Sequence, residues 1–276
     1  ERVGKQARVV VIQDTTELDY TSHRTLSGTG PLSVEERQGF FLHTQWVVSD
    51  RRLPLGAWKA SIYAREAPSL EPKDPQRRKH LPLEQKESFR WLAGYRSACD
   101  LMAQAPGVQV ISCGDRENDI YEVFAEWHQR RQEARVAADW VIRCNQDRCV
   151  LEDEPQAKPA DAEGTHLIAQ VAQNPVLGGV RFLIKSKVQF KKGKGGGRKK
   201  ALRQGRTVRQ EIRVGEIRLR PPYRPGSKLP EVTLRVVTAT EIDPPPGQEP
   251  IEWVLLTSLP VDDLDQALEV LGRHAE

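Results

Sequence analysis

Two short apolar runs in this chain each end on an aspartate. Val108 to Cys113 leads through Gly114 into Asp115, Arg116, Glu117 and Asp119, and Arg8 to Gln13 leads into Asp14, Thr15, Thr16 and Glu17. An ionised carboxylate is an acceptor-only group, and its oxygens are the donors that a hard cation such as Mg²⁺ prefers. In open α/β sheets, ligands collect outside the carboxyl ends of the strands. Asp115 therefore reads as one half of a metal-binding carboxylate pair and Asp14 as the candidate for the other half. Taken alone, Asp14 reads sooner as the cap of a turn.

The elements that must position these residues follow from periodicity. Arg8 to Gln13 is a β-branched run and predicts a buried strand ending at Asp14. Gly39 to Val48 and Pro54 to Tyr63 read as a hairpin around a turn at Ser49 to Leu53, so three antiparallel strands open the chain. Leu26 to Arg37 reads as a loop and Glu66 to Leu81 as an exposed connection. Leu83 to Gln104 carries Phe89, Leu92, Tyr95, Leu101 and Met102 at helical spacing. After Val108 to Cys113 and the Gly–Asp turn, a helix is predicted from Asn118 onward, with Ile120, Val123, Phe124 and Trp127 on its apolar face. Asp139 to Cys144 is a further strand. The order is β-β-β-α-β-α-β-α, that of a ribonuclease-H-like fold, in which the first and fourth strands are neighbours. By that analogy Asp14 and Asp115 meet at one edge of a cleft.

The remainder reads as a β-rich insertion. Gln146 to Gly164 is a polar loop and Thr165 to Asn174 a short helix. Gly179 to Lys187, Thr207 to Arg220 and Val232 to Glu241 alternate as strands do. Ile251 to Ser258 returns to a buried strand, and Asp263 to His274 begins a helix with Leu264, Ala267, Leu268 and Leu271 on one face. The expected division is 1–145 for the first part of the core, 146–247 for the basic insertion, and 248–276 for the last core strand and the start of a helix.

Charge is unevenly spread. The 276 residues carry a net charge of +4, but no Asp or Glu lies between Glu163 and Glu211, while Lys and Arg crowd Lys185 to Arg213. The segment Lys191 to Lys200, KKGKGGGRKK, reads as a flexible basic loop. Its Lys191, Lys192, Lys194, Arg198, Lys199 and Lys200 are candidates for contact with a nucleic-acid backbone, the alternative being a solvated charge run. It is no phosphate loop, because no Lys-Ser/Thr follows the glycines. The four cysteines lack zinc-finger spacing and read as reduced, mostly buried residues of a cytoplasmic protein. No run of about 18 apolar residues predicts a membrane span. Ser-His-Asp hydrolysis has no support without a Gly-x-Ser-x-Gly elbow. His43, on a strand, reads as a core histidine.

The segments VIQDTTELDY, GDRENDIYEVF and EWVLLTSLPVDDLDQALEV resemble bacterial cut-and-paste DNA transposases of the insertion-sequence-four type, along nearly the whole chain and in order. The Asp-Arg-Glu-x-Asp-Ile run is the most specific piece. The resemblance implies a DDE transposase: a ribonuclease-H-like core with a β insertion, in which Asp14 and Asp115 are two of three catalytic metal ligands. It implies Mg²⁺ as cofactor, with Mn²⁺ able to replace it, and phosphodiester hydrolysis followed by strand transfer. Implied partners are double-stranded DNA, as transposon ends and target, and a second copy in a homodimer of the complete protein. The implied location is the bacterial cytoplasm, at the nucleoid when bound to DNA. Trp253 matches a tryptophan that packs against a base flipped from the duplex. Arg116 either contacts a phosphate or pairs with Glu117.

The third carboxylate of the family lies in a Tyr-x-x-Arg-x-x-x-Glu pattern, which does not occur here. With Glu1 as first residue and Met102 as its only methionine, the chain is expected to be a core cut at both ends, with little activity by itself. The alternative is a non-catalytic DNA-binding remnant of a disrupted element. A host nuclease on the same fold would need another acid near the pair, for which Glu252 and Asp262 are nominal candidates.

Overall fold

The computed structural model describes residues 1–23, 25–34, 36–65, 81–151, 165–191, 198–203, 205–224 and 226–274; of 187–191 and 198–203 it describes the backbone. The strands are β1 (Arg8–Asp19), β2 (Gly30–Pro31), β3 (Gln38–Ser49), β4 (Pro54–Tyr63), β5 (Gln109–Gly114), β6 (Asp139–Arg143), β7 (Gly178–Ile184), β8 (Lys187–Lys191), β9 (Arg198–Arg203), β10 (Arg206–Leu219), β11 (Val232–Glu241) and β12 (Glu252–Thr257). The helices are α1 (Phe89–Gln104), α2 (Tyr121–Gln132), α3 (Leu167–Ala172) and α4 (Leu264–His274).

The architecture is mixed α/β. One ten-stranded sheet runs β2-β3-β1-β5-β6-β12-β11-β10-β7, with β4 also paired to β3. Its centre, β1, β5 and β6, is parallel, and every other pairing in it is antiparallel. Parallel strands are stable when helices cover both faces, and here they do. One apolar cluster joins Val9, Val11, Val110, Trp140 and Ile142 to residues of α1, α2 and α3. The other joins Val10, Ile111, Cys113, Val141 and Leu255 to Ala267 and Val270 of α4. Successive strand residues thus point to opposite layers. Burying each valine, isoleucine or leucine among them contributes about 1.5–3 kcal/mol.

The strand expected over Gly179 to Lys187 ends at Ile184, and three boundaries beside the candidate residues also depart from the sequence reading. The first strand does not stop at Asp14. It continues to Asp19, because β3 supplies antiparallel partners from Asp14↔Thr44 to Asp19↔Gly39. The helix expected from Asn118 begins only at Tyr121. Arg116–Asn118 is a 3₁₀ turn, and Ile120 is extended. The helix expected from Leu83 begins at Phe89, because Lys86 is extended and leaves Leu83–Gln85 as a separate 3₁₀ turn. Cys99, Cys113 and Cys144 are buried and Cys149 is partly exposed, all four as thiols. No helix among the described residues is long and apolar enough to cross a membrane.

Candidate functional site

The parallel ladder between β1 and β5 ends at Ile12↔Cys113. Asp14 and Asp115 each lie two residues beyond that pair. By the alternation of strand residues both fall on the face of Val10, Ile111 and Cys113, the layer of α4. Both are exposed. Each carboxylate is held at one oxygen by a nearby backbone amide: Thr15 N donates to Asp14 Oδ1 at 2.7 Å, and Glu117 N to Asp115 Oδ1 at 2.9 Å. Neither Oδ2 has a hydrogen bond to a described residue. Asp115 caps the 3₁₀ turn in extended conformation, which carries the alternation of β5 one residue further.

Gly114 is required just before it. A Cβ there would lie 2.3 Å from Asn118 Nδ2 and 2.6 Å from Asn118 Cβ, so only glycine lets Asn118 fold under the turn. Asn118 is fully buried. Asp119, also buried, accepts from Asn145 N at 2.6 Å, Gln146 N at 2.8 Å and Arg148 Nη1. It ties the turn after β5 to the exit of β6.

Two further strands present residues at the same end and on the same face. Arg143 ends β6 and Trp253 lies near the start of antiparallel β12. The Arg143 guanidinium lies over the Trp253 ring, 4.2 Å from its centroid. Burial and then Arg116 hold Arg143 below its ordinary value, and Asp115 acts in the opposite sense. No hydrogen bond or ion pair joins the guanidinium of Arg116 or Arg143 to another described residue. Four adjacent strands, β1, β5, β6 and β12, therefore set Asp14, Asp115, Arg143 and Trp253 in a row.

No protein-family model matches the chain.

On the opposite face, under the carboxylates, lies a polar layer. Gln13 Nε2 donates to Ser112 Oγ at 2.7 Å, and Thr15 Oγ1 lies 2.9 Å from His43 Nδ1. Gly94 of α1 opens space for it. A Cβ there would stand 1.8 Å from Gln13 Oε1 and 2.8 Å from Gln45 Nε2. Arg90, also of α1, reaches Thr15 and Glu117.

The sequence reading placed Asp14, Asp115, Arg116 and Trp253 at one site, and the structure puts them at one end of the sheet. It missed Arg143, which stood unremarked at the end of an apolar strand, and Arg90, hidden among the polar positions of a helix. Of the alternatives left open, Glu117 pairs with Arg90 rather than with Arg116. His43 is a core histidine, although its Nε2 has no partner among the described residues. Lys191 closes β8, and Arg198, Lys199 and Lys200 open β9. These four fall on a paired two-stranded ribbon rather than on a loop, because β8 and β9 align Lys191↔Arg198. Lys192 and Lys194 lie outside the described residues. Glu252 begins β12 one position from Trp253, on the other layer, and Asp262 follows the far end of β12, paired with Arg235. No group of three or more His, Cys, Asp or Glu gathers at metal-binding range among the described residues.

Proposed function

We propose that this chain is a DNA transposase core on a ribonuclease-H-like sheet, acting on phosphodiester bonds at transposon ends. The observation that carries the reading is the placement of Asp14 and Asp115 at matching positions past the last pair of two adjacent parallel strands, on one face. The order of elements supports it: antiparallel β1, β3 and β4, then α1, β5, α2 and β6 with β5 and β6 parallel to β1.

The donor set fits a hard divalent cation, since both carboxylates are exposed and each keeps an oxygen without a described partner. Asp14 and Asp115 would hold Mg²⁺, or Mn²⁺ in its place. When bound, the metal supplies Lewis-acid stabilisation of the charge on the reacting phosphate oxygens. The chain's own residues do the rest. Thr15 N and Glu117 N orient the carboxylates. Arg116 and Arg143 set two positive charges beside them, where a nucleic-acid phosphate is attracted and positioned. Trp253, backed by Arg143, offers a platform for an unstacked base, which offsets part of the cost of extrusion. The partner on this reading is double-stranded DNA, with a second copy of the protein needed to pair two ends.

With two carboxylates only, the chain is expected to hold the cation weakly and to transfer strands little or not at all. Mn²⁺ titration followed by electron paramagnetic resonance tests the site. Asp14→Asn and Asp115→Asn should each weaken Mn²⁺ binding by about tenfold, the loss of one charged ligand. Equal affinity in all three proteins overturns the reading. The absence of a third ligand among the described residues also favours a second reading, a DNA-binding remnant without chemistry. Salt-sensitive binding of duplex DNA by a chain that binds no Mn²⁺ through Asp14 and Asp115 selects that one.

A further inference from the structure

One side chain beneath the sheet reaches both segments that carry the carboxylates. Arg90, in the first turn of α1, donates from Nε to Thr15 Oγ1 at 3.1 Å and from Nη2 to Glu117 Oε2 at 2.7 Å. Those are the two residues whose backbone amides hold Asp14 Oδ1 and Asp115 Oδ1. A continuous path results: Asp14, Thr15, Arg90, Glu117, Asp115. At this height the β1–β5 ladder has already ended, at Ile12↔Cys113.

The guanidinium is itself fixed. Nη1 donates to Glu87 O at 2.9 Å and lies 3.9 Å from the Glu87 carboxylate. Its carbon stands 6.0 Å from the Tyr63 ring centroid and 5.7 Å from that of Trp91, and the side chain is 18% exposed. A seated planar fork loses little freedom when it binds two acceptors at once.

We propose that Arg90 is a positioning residue, a clamp that sets the spacing and orientation of Asp14 and Asp115 through Thr15 and Glu117. Its purpose rests on the functional reading above; the clamp itself can be tested without it. A lysine is the wrong replacement, because a compact ammonium does not reproduce the fork that spans Thr15 and Glu117. Arg90→Lys therefore loosens both carboxylates while keeping the charge.

Amide hydrogen exchange by nuclear magnetic resonance, on the whole chain without metal, decides the matter. Arg90→Lys should lower protection of the Thr15 and Glu117 amides together, by about tenfold each, the weight of a charge-assisted hydrogen bond. Glu117→Gln, at the exposed end of the clamp, should also lower protection at Thr15, on a segment it does not touch. Loss of protection spread along α1, with the Thr15 amide unmoved in both variants, overturns the clamp. A second arm measures Mn²⁺. Arg90→Lys should bind it about tenfold more weakly than the parent, with the thermal midpoint nearly unchanged. If the parent binds Mn²⁺ through Asp14 and Asp115 and Arg90→Lys matches it, the clamp is also overturned. If no protein binds Mn²⁺ through those aspartates, the functional reading falls, and the exchange data still settle the clamp.

Discussion

Thr15 Oγ1 accepts from Arg90 Nε at 3.1 Å and shares a hydrogen bond of 2.9 Å with Nδ1 of the buried His43 ring. Burial, and after it the charge of Arg90, pushes the imidazole down from 6.5 to about 4. Between those values the unfolded chain binds a proton that the folded chain does not. Stability from this group is whole above about pH 6.5 and is lost as pH falls toward 4. The loss is on the order of 3 kcal/mol. Urea melts at pH 7 and pH 4.5 should show the parent losing about 2–3 kcal/mol more than His43→Gln. Protonation of carboxylates contributes to both proteins alike and cancels in the comparison. Equal losses would mean that the ring protonates in place.

At the scale of elements, the buried Asp119 holds the turn after β5 to the exit of β6. Its carboxylate takes two backbone amides and the Arg148 guanidinium, and Arg148 Nη2 also donates to Asp119 O at 2.9 Å. The side chains of the pair are 0% and 9% exposed. Removing one partner strands the other charge, so Asp119→Ala should cost about 3–5 kcal/mol in urea unfolding; a cost near zero would show that the loop at Asn145 finds its place without Asp119. The same residue explains why one boundary was illegible in the sequence. Ile120, Val123, Phe124 and Trp127 keep helical spacing, so the apolar pattern extends a turn upstream of the helix. The amides that Asp119 must satisfy, those of Asn145 and Gln146, follow the neighbouring strand β6, and no local pattern records them. Strands were easier to read. Val232–Glu241 and Pro54–Tyr63 have the expected bounds because alternation and flanking turns are local signals. Asp14 was read as a strand end because the apolar run stops there. The strand continues because of β3, which is remote in sequence.

Over the whole molecule, Asp14 and Asp115 were legible from their place at apolar strand ends, Arg116 from its place beside Asp115, and Trp253 only through the resemblance. The ones that were not, Arg143 and Arg90, acquire meaning only once β6 and β12 are neighbours and α1 lies under β1. Charge distribution, by contrast, was plain in the sequence and bears on the last expectation. The net +4 hides a segment without acids between Glu163 and Glu211, and part of that segment is the β8–β9 ribbon. If the ribbon meets a duplex, each phosphate it neutralises adds about 0.9 to the slope of log affinity against log salt. Replacing Lys191, Arg198, Lys199 and Lys200 together with glutamine should then flatten that slope by about 2–4. Fluorescence anisotropy with a labelled duplex across 50–300 mM salt, roughly the range in which such contacts are screened, measures it. The variant should weaken binding alike on any duplex sequence, because phosphate contacts position and do not read bases. An unchanged slope assigns the ribbon to solvent and leaves DNA binding to the Arg116, Arg143 and Trp253 end of the sheet.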